Sequence, residues 1–362
     1  MTRWRYITGS DETASGGLAA DEFLVRTCTR PTLRLYSYRS HCALVGRFQN
    51  LEAELRLAEC KRLGVAVNRR PTGGGAIIMG ERQLALALAI PTGHPAHSEH
   101  PTKVFPDLAR GIVSGLDELG ITAEYRPKND IEVRGRKIAG TAVCVDESGA
   151  LLYHASILLD LDVQLMLRVL NTPVEKISDK AIASFEERLT TASAELGRPV
   201  DLPAARKAVR RGFERAFGAA FSDVPLTAAE LRRIGGLETQ KYLSREWVHQ
   251  RQPTGDMVGT SIRKTSAGLV RTYAALVGDT IKSILITGDF FSADETINGV
   301  EAALKWGPAT REAIERAVEA AFADNGHGPD LIGSAELADI VYEAVADARS
   351  KPVRNTSGAG VG

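Results

Sequence analysis

Between residues 51 and 170 the spacing of apolar positions changes several times, and each change predicts an element. Leu51, Leu55 and Ala58 recur at helical spacing ahead of Gly64, which predicts an amphipathic helix over 51–64. A short apolar run, Val65 to Val67, reads as a strand. A Pro-Thr-Gly-Gly-Gly turn follows, and then two strand-like stretches, 76–79 and 84–90, whose polar connection predicts a hairpin. Val104, Leu108, Ile112, Leu116 and Leu119 share one helical face, with Thr102 as N-cap and Gly120 as stop, so 102–119 reads as a helix. Residues 131–159 read as three strands joined by turns at Gly135-Arg136 and at 146–149. Helical patterns follow at 162–170, 179–196 and 202–217. Antiparallel hairpins with helices between them predict an α+β fold rather than a doubly wound α/β one.

A second pattern starts near Lys241. It has strand-like segments at 257–264, 268–277 and 281–287, then helical periodicity at 294–304, 311–323 and 334–348. This predicts a small α+β domain over 241–350. The Phe290-Phe291 pair reads as part of its core. Residues 351–362, KPVRNTSGAGVG, have no apolar period and read as a disordered tail.

A length of 362 residues leaves room for two or three domains, and 44% hydrophobic with 25% charged residues is the balance of a soluble globular chain. The 45 basic and 45 acidic residues cancel, so no overall basic field recruits nucleic acid. That cancellation is regional. Residues 289–350 hold four basic and thirteen acidic side chains, a net of −9, whereas 1–288 hold 39 and 32, a net of +7. Anion sites are therefore expected in the first part. Four cysteines without metal-ligand spacing predict a reducing cytoplasm. The longest apolar run, Leu84 to Ile90, is far short of the ~20 residues that span a bilayer, and the start lacks an apolar leader, so neither secretion nor membrane insertion is expected.

Two segments carry chemistry. In Arg69-Arg70-Pro71-Thr72-Gly73-Gly74-Gly75-Ala76-Ile77-Ile78, three glycines let backbone approach a ligand with N–H groups aimed at an anion. A preceding arginine can fork onto a phosphate or carboxylate. No GKT or GKS follows and the next residues alternate like a strand, which excludes a P-loop and a dinucleotide fingerprint. A hairpin turn that needs positive φ is the competing reading. The second segment is Asn129-Asp130-Ile131 with Gly135-Arg136-Lys137-Ile138-Ala139-Gly140-Thr141-Ala142. Asp130 can hold Mg²⁺ or a polar ligand edge. Lys137 leaves a tight turn beside small residues, and an ammonium ~4 Å from an anionic oxygen is worth about 4 kcal/mol at an effective dielectric near 20, before desolvation. A solvated hairpin lysine is the alternative. Residues 126–137 hold five basic and two acidic side chains, a net of +3, which favours an anion-facing strand pair. His94, His97 and His100 are interrupted by Pro95 and Pro101 and read as a loop rather than a metal site.

In order and spacing RRPTGGG, NDI, GRKIAGTA, YHASILLD at 153–160 and ERLTT at 187–191 resemble the lipoate-protein ligase A family of the biotin and lipoate ligase superfamily. The stretch from KYLSREW through SILITGDFF is similar to the accessory domain of its larger members. The resemblance implies a catalytic domain over 1–240 built on a mixed or antiparallel sheet, an accessory domain over 241–350, and a hinge near 235–241. It further implies ATP-dependent ligation, in which lipoate or octanoate with ATP and Mg²⁺ gives an acyl-adenylate and diphosphate. A carrier lysine then takes the acyl group and AMP leaves. By motif position Lys137 would be the catalytic lysine. Arg70, Gly75, Ala76, Ile77, Ile78, Asn129 and Asp130, with Lys137, would hold ATP and the adenylate, and Asp130 would ligate Mg²⁺. Gly73, Gly74, Gly140, Thr141, His154 and Ala155 would line the lipoyl pocket.

Two departures leave the acyl preference open. Met79-Gly80-Glu81-Arg82-Gln83 stands where the family commonly has His-Asp and then Gly-Asn, and Ala155 stands where glycine usually follows the histidine. The implied partners are apo lipoyl carriers: lipoyl domains of 2-oxoacid dehydrogenases, the glycine-cleavage H-type carrier, or a specialised lipoate-binding protein of sulfur oxidation. The protein itself is expected to be a cytoplasmic monomer. The alternatives are an ATP-independent octanoyl or lipoyl transferase acting through a cysteine thioester, and a lipoate-binding scaffold without chemistry. The transferase ranks below the ligase because no cysteine falls near Asn129-Asp130 and Cys144 reads as core. A biotin ligase lacks its GRGRxGR loop here.

Overall fold

Leucine and alanine alternate through the strand Gln83–Ile90 (β6), and every residue of it is buried, so both faces of the strand are covered. Leu84, Leu86, Leu88 and Ile90 join the larger core cluster with the helix Pro101–Glu118 (α4) and the helix Leu202–Phe217 (α7). Ala85, Ala87 and Ala89 face the helix Ala14–Thr27 (α1), in a cluster with Leu18, Ala19, Phe23, Tyr36 and Tyr38. Small side chains on one face and large ones on the other bring α1 close to the sheet and leave room there for a pocket.

The structure, a computed structural model, describes residues 3–97, 101–171, 187–324 and 332–351. The described chain separates into two compact units, one of residues 3–252 with 289–293, the other of 253–288, 294–324 and 332–351. The fold is α+β. In the first unit an eight-stranded mixed sheet runs in the order Phe221–Asp223 (β11), Trp4–Glu12 (β1), Thr32–Tyr38 (β2), β6, Leu151–Leu158 (β10), Arg136–Val145 (β9), Asp130–Val133 (β8) and Glu124–Arg126 (β7). The β11–β1 and β1–β2 pairs are parallel and the remaining pairs antiparallel. A separate three-stranded sheet places Cys42–Val45 (β3) between Ala66–Arg69 (β4), parallel, and Ile77–Met79 (β5), antiparallel.

That second sheet corrects the expected hairpin. The strands 77–79 and 83–90 do not pair with each other: β5 bonds to β3, whereas β6 bonds to β2 and β10. The polar link Gly80-Glu81-Arg82 therefore connects two sheets. The helix expected over 51–64 is two short ones, Leu51–Glu54 (α2) and Leu57–Arg62 (α3), separated where Leu55 forms a bridge with Leu170. The three strands expected over 131–159 form, as do the helices Val163–Val169 (α5) and α7. Of the helix expected over 179–196, residues 179–186 lie outside the described residues, and Ala192–Leu196 (α6) is helical, capped by Thr191.

The stretch Ala228–Leu237 (α8) continues without interruption into a π-helical turn, Glu238–Tyr242. Lys241 Nζ lies 2.7 Å from the Glu22 carboxylate and Tyr242 is fully buried, so this segment is docked against α1. The second unit is a three-stranded antiparallel sheet, Gly259–Lys264 (β12), Leu269–Val277 (β13) and Thr280–Gly288 (β14), packed with the helices Asp294–Leu304 (α9), Arg311–Asp324 (α10) and Ser334–Ser350 (α11). Phe290 and Phe291, expected in that unit's core, are instead buried in the first unit. Among the described residues no helix is long and apolar enough to cross a membrane.

Candidate active site

The register of β8, β9 and β10 sets Asp130, Gly140 and Ser156 side by side across three strands. Lys137, three residues before Gly140 on β9, turns its side chain back over this row. A Cβ at position 140 would stand 2.9 Å from both its Cε and its Nζ, so glycine is what lets the ammonium lie there. Nζ reaches 2.6 Å from Asp130 Oδ1, an ion pair set off the line of a good hydrogen bond. The Lys137 backbone is clamped by the segment 188–190: its N–H donates to the Arg188 carbonyl at 2.9 Å, and its carbonyl accepts from Thr190 N–H at 2.9 Å. Asn129 Nδ2 donates to the Thr141 carbonyl, and Thr141 N–H and Oγ1 donate to the Asn129 carbonyl, which fixes the strand beside the ammonium.

Lys137 stands on a cavity of about 140 Å³ whose walls are largely apolar. A space of that order holds a small hydrocarbon. Leu18, Leu44, Ile77, Met79, Leu86 and Ala155 supply aliphatic surface, and Tyr36 and Tyr38 add aromatic faces. Eleven of the residues singled out in the sequence line it: Arg70, Gly74, Gly75, Ala76, Ile77, Asn129, Lys137, Gly140, Thr141, His154 and Ala155. Three do not. Gly73 lies beneath Phe290, Ile78 packs into the cluster with Val45, Leu51 and Val169, and Asp130 touches the cavity only through Lys137. Leu18, Tyr36, Tyr38 and Leu44 were missed because they come from α1, β2 and β3. Those segments look like ordinary core in the sequence.

Arg70 closes the glycine side. Its Nη1 donates to the Leu44 carbonyl at 3.0 Å, and its Nη2 to the carbonyls of Gly73 and Gly75 at 2.9 and 2.7 Å. Burial lowers the guanidinium to about 10. Behind the wall opposite, Asp21 is fully buried. Arg34 Nη1 donates to its Oδ1 and Tyr36 OH to its Oδ2, both at 2.6 Å. His154 Nε2 stands 3.2 Å from the same Oδ2, and its Nδ1 is 3.3 Å from Thr72 Oγ1. Burial opposes the Asp21 charge, yet Arg34, His154 and Tyr36 together hold the carboxyl below its ordinary range. Burial, with the neighbouring Asp21 charge, pushes the Tyr36 phenol well up, so it stays a donor.

Asp130, the residue expected to ligate Mg²⁺, has its carboxylate against the Lys137 ammonium. Among the described residues no group of three or more His, Cys, Asp or Glu side chains comes together as a metal site. The residues present do not fit a protein-built magnesium site.

The model of the lipoyl protein ligase A/B catalytic domain matches residues 14–214. The chain belongs to this family. Within the lipoyl ligase A/B family, the chain is 29% identical to an octanoyltransferase, LipM of Geobacillus kaustophilus, over 68% of its own length and 98% of the relative's. A structure from the archaeal lipoylation system of Thermoplasma acidophilum, a bipartite lipoate protein ligase and its E2 lipoyl domain, superposes with a TM-score of 0.62 at 27% identity, covering 70% of this chain and 99% of that one. A lipoate-protein ligase A bound with ATP gives 0.58 at 26%, over 68% and 97%.

The likeness to octanoyltransferases overturns the expectation of an ATP-dependent ligase that releases AMP and diphosphate. An apolar cavity with a lysine on its wall does not by itself reveal whether an acyl group arrives activated.

Proposed function

We propose that this protein transfers an octanoyl or lipoyl group from an already activated thioester donor to the ε-amine of a lysine on a lipoyl-type carrier, without ATP. One observation carries the reading: the Lys137 side chain lines a largely apolar cavity, in a chain that matches an octanoyltransferase over 98% of that relative's length. The aliphatic walls suit a saturated chain, and Lys137 stands where the chain's carbonyl would lie. The attacking amine forms the C–N bond, the carbonyl oxygen gains negative charge, and the C–S bond then breaks. The products are an amide and a thiol, the sulfur leaving with the proton that the amine loses. The Lys137 ammonium stabilises the developing oxyanion, and the ion pair with Asp130 holds it in place.

None of the four cysteines lines the cavity. Cys42 and Cys60 are buried in core, and Cys28 and Cys144 pack against the cluster around α1. The amine is therefore drawn attacking the donor directly. The net charge of +3 over 126–137 favours an acidic carrier at this end of the sheet.

The test offers an octanoyl thioester and an apo lipoyl domain without ATP and follows the carrier by mass. A parallel arm supplies free octanoate or lipoate with ATP and Mg²⁺ and assays pyrophosphate. Labelling in the first arm that Lys137→Ala abolishes is expected. Labelling confined to the second arm, with pyrophosphate released, overturns the reading.

A further inference from the structure

The three glycines at 73–75 invite an anion-binding interpretation, but Gly73 and Gly74 are buried with protein on both sides, and only Gly75 is exposed. On one side Gly46 lies so close that a Cβ there would overlap the Gly74 carbonyl, and the Arg70 fork holds the carbonyls of Gly73 and Gly75. On the other side runs the segment 289–293, which packs within the first unit although the strand before it and the helix after it belong to the second. Gly74 N–H donates to the Phe290 carbonyl at 3.2 Å. A Cβ on Gly73 would stand 2.5 Å from that same carbonyl oxygen. Gly74 has φ +89°, and a Cβ there would be 3.0 Å from Phe291 Cζ. Glycine is required here because peptide backbone and an aromatic edge occupy the space a side chain would need.

Two ring contacts anchor the segment. Phe290 is fully buried and stacks on Phe48 with centroids 4.9 Å apart and an interplanar angle of 11°. Phe291 meets Phe105 edge-on at 5.3 Å. Gly74 and Gly75 in turn line the same cavity as Lys137.

We infer that Phe290 and Phe291 are positioning residues: by pinning 289–293 over the glycine turn they set the shape of the acyl pocket's wall. The shape claim is independent of chemistry, while its consequence for acyl binding rests on the transfer reading above. Loss of either ring frees the turn, which then samples conformations that do not fit the acyl chain. The cost falls on acyl binding and chain-length selectivity rather than on the Lys137 chemistry.

The experiment uses the full chain with Phe290→Ala and Phe291→Ala, and with Phe290→Leu and Phe291→Leu as variants that keep apolar bulk. Amide hydrogen exchange is read at peptides covering 72–76 and, as a control for the fold, 136–145. Expected is exchange at 72–76 faster by roughly tenfold or more in the alanine variants, partial protection in the leucine variants, and 136–145 unchanged. In the transfer assay KM for the octanoyl thioester rises roughly five- to tenfold while kcat changes by less than about threefold, with discrimination between octanoyl and shorter chains reduced. Wild-type protection at 72–76 in variants whose 289–293 peptide exchanges freely overturns the inference, and so does a fall in kcat with KM unchanged. If alanine raises exchange at 136–145 as well, the leucine variants decide on the same criteria. Should the wild type show no thioester transfer, the transfer reading fails while the exchange result still judges the wall.

Discussion

The Lys137 side chain lies directly over Gly140, with its Cε and Nζ each 2.9 Å from where a Cβ on that glycine would sit. Gly140→Ala must therefore displace the ammonium from the row it shares with Asp130 and Ser156. Transfer is expected to fall by about 10²-fold, the scale of a 1 Å misplacement. Lys137→Ala should lose roughly 10²- to 10³-fold by removing the oxyanion's partner. Steady-state rates alongside unchanged thermal melts check both. A Gly140→Ala variant with wild-type kcat would show that the lysine's position is not set by this contact.

Asp21 contributes to the acid sensitivity of the fold. Its carboxyl is held below the ordinary range by Arg34, His154 and Tyr36. A depressed carboxyl contributes stability that is present above the unfolded value near ~4 and is lost as pH falls through the lower folded value. Urea unfolding between pH 7 and pH 3 should show stability dropping on acidification. In Asp21→Asn that drop should become smaller, from a starting point lower by about 3 kcal/mol, because Arg34 keeps its burial and loses its fully buried carboxylate partner.

Helices α4 and α7 cross at glycines. A Cβ on Gly212 would overlap backbone at Gly111 and Gly115, whereas one on Gly235 meets nothing within 4 Å. Gly212→Ala is expected to destabilise by about 2 kcal/mol or more through overpacking. Gly235→Ala in α8 should be neutral or gain about 0.5 kcal/mol from the unfolded state. Thermal melts of the two variants should move in opposite directions or leave only Gly212→Ala shifted.

Arg70→Lys keeps a cation but not the fork to Leu44, Gly73 and Gly75. The buried site already pulls the guanidinium down to about 10, and an ammonium with its lower intrinsic value is pushed further toward neutrality. Acyl-donor KM should rise by roughly tenfold with a smaller change in kcat. Equal losses in kcat and kcat/KM would instead place Arg70 at the transition state.

Much of the site was legible because it is local. Lys137 and Gly140 are three residues apart on one strand, and Asn129-Asp130 precede them across one turn, so spacing alone placed them together. The glycine turn was also found, although the partner it faces was not. The cavity's far wall was illegible: Leu18, Tyr36 and Tyr38 sit in runs that are buried throughout, and no period separates a residue facing core from one facing a cavity. The helix over 202–217 was readable from its strong amphipathic period, while that over 51–64 was cut by a bridge to Leu170 that no local pattern records.

By itself the sequence determined the α+β class, most element positions and the lysine strand, because hydrophobic period and neighbouring residues act over a few positions. Only the tertiary structure decided that the strands 77–79 and 83–90 enter different sheets, that Asp21 stands behind His154, and that Phe290 and Phe291 pack within the first unit, on its own glycine turn. Each of those outcomes depends on which distant surfaces fill the same space, and close packing settles that without leaving a period in the chain.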